Sequence, residues 1–268
     1  MKPIRLFSSD LDGTLAGDRE ASIEFARLWQ ALPDDERPLL VYNSGRLIKD
    51  ILEFTAEEGL PKADFLIGGV GTMVHSHDHP HLSDQYTALI ADGFDVDLIE
   101  AELVMMERLT RQPAQYQHAY KSSWYLHDAS AEDILELEQM LARSGHRTRV
   151  VYSSARDLDV LPDLADKGKA LTWLCSTLEI GLDEVVVAGD TGNDRAMFEL
   201  DGVRGILPGN ALPELCQPRA GKARHDHHPR DCCPGRNRRT EGVRRICDEC
   251  GNLNVVICDF RVPNVALN

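Results

Sequence analysis

The sequence predicts an α/β fold, an open parallel sheet wrapped by helices and interrupted by an α+β insertion. Three observations carry this expectation. Short apolar runs alternate with stretches of helical periodicity over residues 4–69, the alternation resumes after residue 165, and between them the rhythm changes. The runs also end on residues with chemistry to offer, as expected where ligands lie beyond the carboxyl ends of parallel strands.

The first run, residues 4–9, leads into Asp10-Leu11-Asp12-Gly13-Thr14-Leu15. Side chains two apart on a strand point the same way, so the two carboxylates are expected to converge on one small volume, with Gly13 permitting the turn. Two carboxylates that close repel unless a cation sits between them, and hard Mg²⁺ prefers oxygen ligands. A metal-held aspartate beside a second carboxyl suits phosphoryl transfer, one attacking and the other moving a proton. Alone, the hexapeptide reads equally well as a strand end capped by an acidic turn.

Residues 20–32 carry apolar side chains at Ile23, Phe25, Ala26, Leu28 and Trp29, a helical rhythm that Pro33 ends. A strand over 38–42 stops at Asn43-Ser44-Gly45-Arg46, a helix over 47–59 stops at Gly59 and Pro61, and a third strand covers 64–69. Residues 74–164 then form the insertion, large enough for a small lid domain with its own core. It holds a His-rich loop, a helix over about 95–111, a strand over 121–126, a helix over about 130–143 and a strand over 147–152. His75, His77, His79 and His81 alternate, which on a strand would suit Zn²⁺ or Ni²⁺, but Asp78 and Pro80 favour a solvated loop. The sheet pattern returns with a helix over 166–178 and a strand over 184–188 that runs into Gly189-Asp190-Thr191-Gly192-Asn193-Asp194. A helix over 195–200 and a strand over 203–207 follow.

These pieces, in this order, resemble the haloacid dehalogenase-like phosphatases, whose first motif has the form Asp-x-Asp-Gly-Thr-Leu. The resemblance implies a Rossmann-like core of residues 1–73 and 165–217 with a C2-type cap at 74–164. It implies that Asp10 is the nucleophile, forming an aspartyl-phosphate, and that Asp12 protonates the leaving oxygen and later activates water. Ser44 with Gly45 and Arg46 matches the second motif; a hydroxyl at a strand end, beside the N–H groups that open a helix, can hold the phosphoryl oxygens. Lys167, preferred over Lys169 for its Asp-Lys-Gly setting, matches the third as a fixed positive charge. Asp190 matches the fourth, completing a Mg²⁺ site with Asp10 and Asp12, while Asn193 borders the substrate and Asp194 orients Lys167.

Within the superfamily the chain resembles the sucrose-phosphate phosphatases, and among them the mannosylfructose-phosphate phosphatases. The stretches that carry this are Ala31-Leu32-Pro33-Asp34-Asp35, Ile67-Gly68-Gly69-Val70-Gly71-Thr72-Met73, Tyr116-Gln117-His118 with Lys121-Ser122-Ser123-Trp124, and Asp157-Leu158-Asp159-Val160-Leu161-Pro162. The resemblance implies a phosphorylated disaccharide substrate, with Lys121 and Ser122 as cap contacts, and a possible association with a glycosyltransferase. Sucrose-6-phosphate and other sugar phosphates are the alternatives. Trp124 and Tyr125 read equally as the core of the cap sheet.

The formal net charge of −15 over 268 residues argues against a nucleic-acid partner and gives no long-range steering to a phosphorylated substrate. With no signal peptide and no run of about 18 apolar residues, the expectation is a soluble, cytoplasmic protein without a membrane contact. The charge is uneven. Residues 1–217 hold 19 Lys and Arg against 38 Asp and Glu, whereas residues 218–268 hold 10 against 6 and most of the 7 cysteines. That last segment spoils the expected completion of the core. It reads as the out-of-frame end of a coding sequence, with two alternatives: a metal module built on Cys232, Cys233, Cys247 and Cys250, or a basic tail for an anionic partner. If it is an unrelated end, or if the tail governs behaviour, a non-catalytic or metal-binding product is the rival to an enzyme.

Overall fold

Strand β1 (Leu6–Ser9) is flanked on both sides by parallel strands, which is why its residues are apolar or small throughout. The computed structural model describes residues 2–216, 244–246 and 255–257. After β1 come α1 (Arg19–Ala31), β2 (Leu39–Asn43), α2 (Ile48–Glu58), β3 (Phe65–Gly68), β4 (Met73–His75) and α3 (His81–Ile90). The insertion adds α4 (Val96–Leu103), β5 (Thr110–Arg111), β6 (Ser122–Tyr125), α5 (Ala131–Arg143), β7 (Thr148–Ser153) and β8 (Asp157–Pro162). The chain returns through α6 (Lys167–Thr177), β9 (Val185–Ala188), α7 (Arg195–Phe198), β10 (Arg204–Ile206) and α8 (Pro213–Cys216), with β11 (Arg244–Ile246) and β12 (Val255–Ile257) beyond.

The larger sheet has the order β11-β12-β10-β9-β1-β2-β3-β4. Strands β12, β10, β9, β1, β2 and β3 run parallel, and β4 and β11 are antiparallel edges. Alternate side chains serve opposite faces. Leu6, Val41, Phe65, Ile67, Val185 and Val187 pack against α3, α6 and α7, while Phe7, Leu40, Tyr42 and Leu66 pack against α1 and α2. Helix α1 starts where the Asp18 side chain accepts from the N–H groups of Glu20 and Ala21, and α2 ends at Gly59 in the left-handed region.

The smaller sheet, β5-β6-β8-β7, is antiparallel throughout. One face buries Trp124, Leu158, Val160 and Val150 against α4 and α5, so Trp124 is part of the cap core. The register puts Gln112, Ser123, Asp159 and Val151 in a row on the other face. Val151 and Leu161 on that face pack on the first core cluster, so this is the face turned to the main sheet.

The insertion begins later than residue 74. Strand β4 pairs with β3 through Gly68↔Met73, and α3 buries Leu82, Tyr86 and Ile90, one turn apart, in the main core. Residues 73–90 therefore pack with the main sheet, and the second sheet and its core lie within 91–164. The alternating histidines fall on β4, a loop and the start of α3, where His79 stacks on Phe65. The helix expected over 95–111 stops at Leu103, because Thr110 and Arg111 pair with β6 as an edge strand. The readings of the segment 218–268 fall outside the described residues, apart from the short strands β11 and β12. Among the described residues no helix is long and apolar enough to cross a membrane.

Candidate active site

The parallel strands β1, β2 and β9 end side by side, and the polar residues that follow them gather at one place. Asp10 continues the β1 ladder for one more bond, its N–H donating to Ala188 O at 2.9 Å. Its side chain is buried. Lys167, the first residue of α6 and 0% exposed, donates from Nζ to Asp10 Oδ1 at 2.7 Å and to Asp194 Oδ1 at 2.6 Å. The other Asp194 oxygen accepts from the N–H groups of Asp190 and Thr191, at 3.0 and 3.1 Å. Asp190 accepts from Thr14 Oγ1. Any side chain at Gly13 would run into the Asp190 carboxylate, so the close approach of these two loops demands glycine there.

Burial pushes the Asp10 carboxyl up to about 7, with Lys167 opposing the shift and Asp194 adding to it. Burial and then Asp194 push Asp190 up to about 6 against the Thr14 hydrogen bond. Burial alone would lower the Lys167 ammonium, but Asp10 and Asp194 hold it above the ordinary lysine value. Three carboxylates around one ammonium leave buried negative charge in excess. Oxygen atoms of Asp10, Asp190 and Asp194 lie within 4.8 Å of one another, the one such group among the described residues, and an all-oxygen donor set of this charge suits a hard divalent cation.

The pH dependence follows in sign. Both carboxyls sit above their unfolded values, so the stability they contribute is present at low pH and lost as pH rises through about 6 and then 7. A divalent cation binds the ionised forms, so added Mg²⁺ is expected to raise Tm more at about pH 7.5 than at about pH 5.5. Thermal unfolding with Mg²⁺ and with EDTA at the two pH values checks this; an equal shift at both would contradict it.

Ser44 follows β2 and is buried, with its N–H on Ile67 O at 2.8 Å and its Oγ accepting from the Arg46 N–H at 3.2 Å. Asn193 lies across from Gly45, where an added Cβ would stand 3.9 Å from Asn193 Nδ2. Thus Asp10, Ser44, Lys167, Asp190, Asn193 and Asp194 are brought to the same end of the sheet. Of the two neighbouring lysines, Lys167 is the buried one that reaches this group, whereas Lys169 is exposed and bonds Asp163 O.

Three expected positions differ. Asp12 does not join the acidic group. The chain leaves β1 and turns, so strand alternation no longer applies, and the Asp12 carboxylate is 54% exposed and held by Arg46 at 2.7 Å. Arg46 in turn is engaged with carboxylates rather than open to a phosphate. Ser122 points into the cap interior, where its Oγ donates to Glu100 at 3.0 Å and accepts from Trp124 Nε1 at 2.8 Å. Lys121, on the other face, is buried with Nζ 3.3 Å from Asp159 Oδ1, and its stem lies 3.7 Å from where a Cβ at Gly69 would stand. Sequence reasoning missed Asp159, Gln112 and Asn43. Asn43 donates to Lys167 O at 3.0 Å, tying α6 to β2. Only its place directly before Ser44 could have singled it out.

The two layers have the fold of the haloacid dehalogenase-like hydrolases. A hydrolase of that type from B. subtilis shares the fold with a TM-score of 0.52 at 17% identity, covering 79% of this chain and 92% of that one. The sequence model of the sucrose-6F-phosphate phosphohydrolase family matches residues 3–242, so the chain belongs to that family of phosphatases. Mannosylfructose-phosphate phosphatase of Agrobacterium fabrum is 55% identical over 215 residues, 80% of this chain and 87% of that protein. Sucrose-phosphatase 1 of Nicotiana tabacum is 31% identical over 224 residues, and the match spans 52% of that longer protein. The sucrose-phosphatase of Synechocystis, solved with sucrose and phosphate, has a TM-score of 0.73 at 28% identity, covering 81% of this chain and 86% of that chain.

Proposed function

We propose that the chain is a cytoplasmic, Mg²⁺-dependent phosphatase that hydrolyses a phosphorylated disaccharide, with mannosylfructose-phosphate preferred, through an aspartyl-phosphate on Asp10. The observation that carries this reading is the buried Asp10 carboxylate, fixed at 2.7 Å by Lys167 at the end of the central strand. An Asp10 oxygen attacks phosphorus, the bond to the sugar oxygen breaks, and Asp12 gives that oxygen its proton. Water then attacks the phosphorus of the acyl phosphate while Asp12 takes its proton, the bond from phosphorus to the Asp10 oxygen breaks, and inorganic phosphate leaves with Asp10 regenerated. Lys167 and the Ser44 hydroxyl stabilise the charge on the phosphoryl oxygens, and Asp194 keeps Lys167 aimed. Asp10 and Asp190, bordered by Asp194, would hold Mg²⁺, which supplies further charge neutralisation when bound.

The polar face of the smaller sheet supports a sugar-reading role for the cap, through Lys121, Ser123, Asp159 and Gln112. Removing one charged contact to substrate costs roughly 1.5–3 kcal/mol, or about 10- to 100-fold. Lys121→Met is therefore expected to raise KM for the disaccharide phosphate by about that factor while p-nitrophenyl phosphate, which has no sugar to read, changes much less. Association with a glycosyltransferase that forms the phosphorylated sugar belongs to the same reading.

The deciding assay is phosphate release from mannosylfructose-phosphate and sucrose-6-phosphate side by side, with Mg²⁺ and with EDTA. Metal-dependent release with the higher kcat/KM on mannosylfructose-phosphate is expected. A reversed ratio would make sucrose-6-phosphate the substrate, and no release from folded protein would refute the reading.

A further inference from the structure

Arg46 lies just ahead of α2, at the head of a stripe formed by Asp50 and Phe54, which stand four residues apart on that helix. Along it the Arg46 guanidinium is held on three sides. Nε and Nη2 donate to the two oxygens of Asp12 at 2.8 and 2.7 Å, Nη1 donates to both oxygens of Asp50 at 3.0 and 2.9 Å, and Cζ lies 3.7 Å from the centre of the Phe54 ring. Most exposed ion pairs contribute little, because two flexible side chains must be frozen together. Here the arginine is already frozen by Asp50 and Phe54. Its planar fork meets Asp12 with both teeth, a geometry that fixes a carboxylate's orientation as well as its position. Few of its N–H groups are left for a phosphate.

We propose that Arg46 is a positioning residue for Asp12, anchored by Asp50 and Phe54, rather than a ligand of the transferring phosphate. The inference rests on the reading of Asp12 as proton carrier. A proton carrier on the turn after β1 needs a support of this kind: the backbone has left the ladder after Asp10, and the carboxylate of Asp12 is half open to solvent. Because α2 follows directly from the Ser44 loop, the arginine ties the carrier's aim to the element that presents Ser44.

The test is a double-mutant cycle on the Mg²⁺-loaded enzyme, with whichever of the two disaccharide phosphates is turned over. Misaiming a proton carrier by about 1 Å costs roughly 100-fold, so Arg46→Met is expected to lower kcat by about 10- to 100-fold with KM within about threefold. In an Asp12→Asn background, the same change is expected to lower the residual kcat by less than about threefold, because the residue it serves is gone. Asp50→Asn, which loosens the anchor and keeps the arginine, is expected to lower kcat in the same direction by a smaller factor, and it answers the question if Arg46→Met does not fold. A large rise in KM at unchanged kcat, or equal losses in both backgrounds, would overturn the proposal and make Arg46 a substrate ligand. An Asp12→Asn variant with wild-type kcat would instead refute the role of Asp12, and the proposal with it.

Discussion

Asp10→Asn is expected to lower phosphate release by about four orders of magnitude or more while leaving the protein folded. The amide has nearly the shape of the carboxylate, and its carbonyl oxygen can still accept from Lys167 Nζ. It cannot act as a nucleophile toward phosphorus. The stability side has a definite sign. Asp10 sits at about 7 in the folded protein, well above an ordinary carboxyl, so its ionised form costs folding free energy at higher pH. In EDTA at about pH 8 the asparagine variant is therefore expected to melt no lower than the wild type, and higher if Asp10 ionisation is the dominant cost. Phosphate release and thermal unfolding on the same sample separate the two effects. Wild-type-like turnover would remove Asp10 from the mechanism.

Lys167→Met is expected to damage both stability and turnover. The ammonium is fully buried between Asp10 and Asp194, with Asp190 beside them. Removing one partner of a buried ion pair costs roughly 3–5 kcal/mol, because the remaining charge keeps its desolvation penalty. For a chain of this size that corresponds to a fall in Tm of roughly 10 °C. Turnover is expected to fall about 100- to 1000-fold, the usual loss when a preorganised donor to a developing anion is removed. Lys169→Met provides the comparison, since that side chain is exposed and donates to the backbone carbonyl of Asp163. It is expected to stay within about twofold of wild type in kcat. Similar losses in the two variants would mean that helix α6, and not the buried ammonium, is what matters.

The main sheet was legible because its strands are apolar on both faces and its helices are amphipathic, with Pro33, Gly59 and Pro61 as stops. Helix α3 and strand β8 are among the elements that were not. Helix α3 lies in a stretch dense in His, Asp and Ser, and only the burial of Leu82, Tyr86 and Ile90 by the main sheet makes it helical and part of the core. Strand β8 carries Asp157 and Asp159, poor strand formers, and its turn from β7 lacks the usual Asn-Gly signal. Ser154 and Ala155 take left-handed φ values of 56° and 50° there, held by the ladder on either side and by the Asp128 N–H on Ala155 O.

The sequence by itself determined the class of fold, the order of the four motifs, and Asp10, Ser44 and Asp190 as residues at the strand ends, with Lys167 opening a helix. Strand-end position follows from local pattern, and local pattern is what a sequence carries. Tertiary structure decided where the side chains go once the strands stop. It drew Asp12 out of the acidic group, because a bidentate arginine fixed by Asp50 and Phe54 outcompetes a cluster already crowded with buried negative charge. It also turned Ser122 toward the cap helices and Lys121 toward the main sheet, because which face of the strand the helices α4 and α5 cover is set by a contact that is not local.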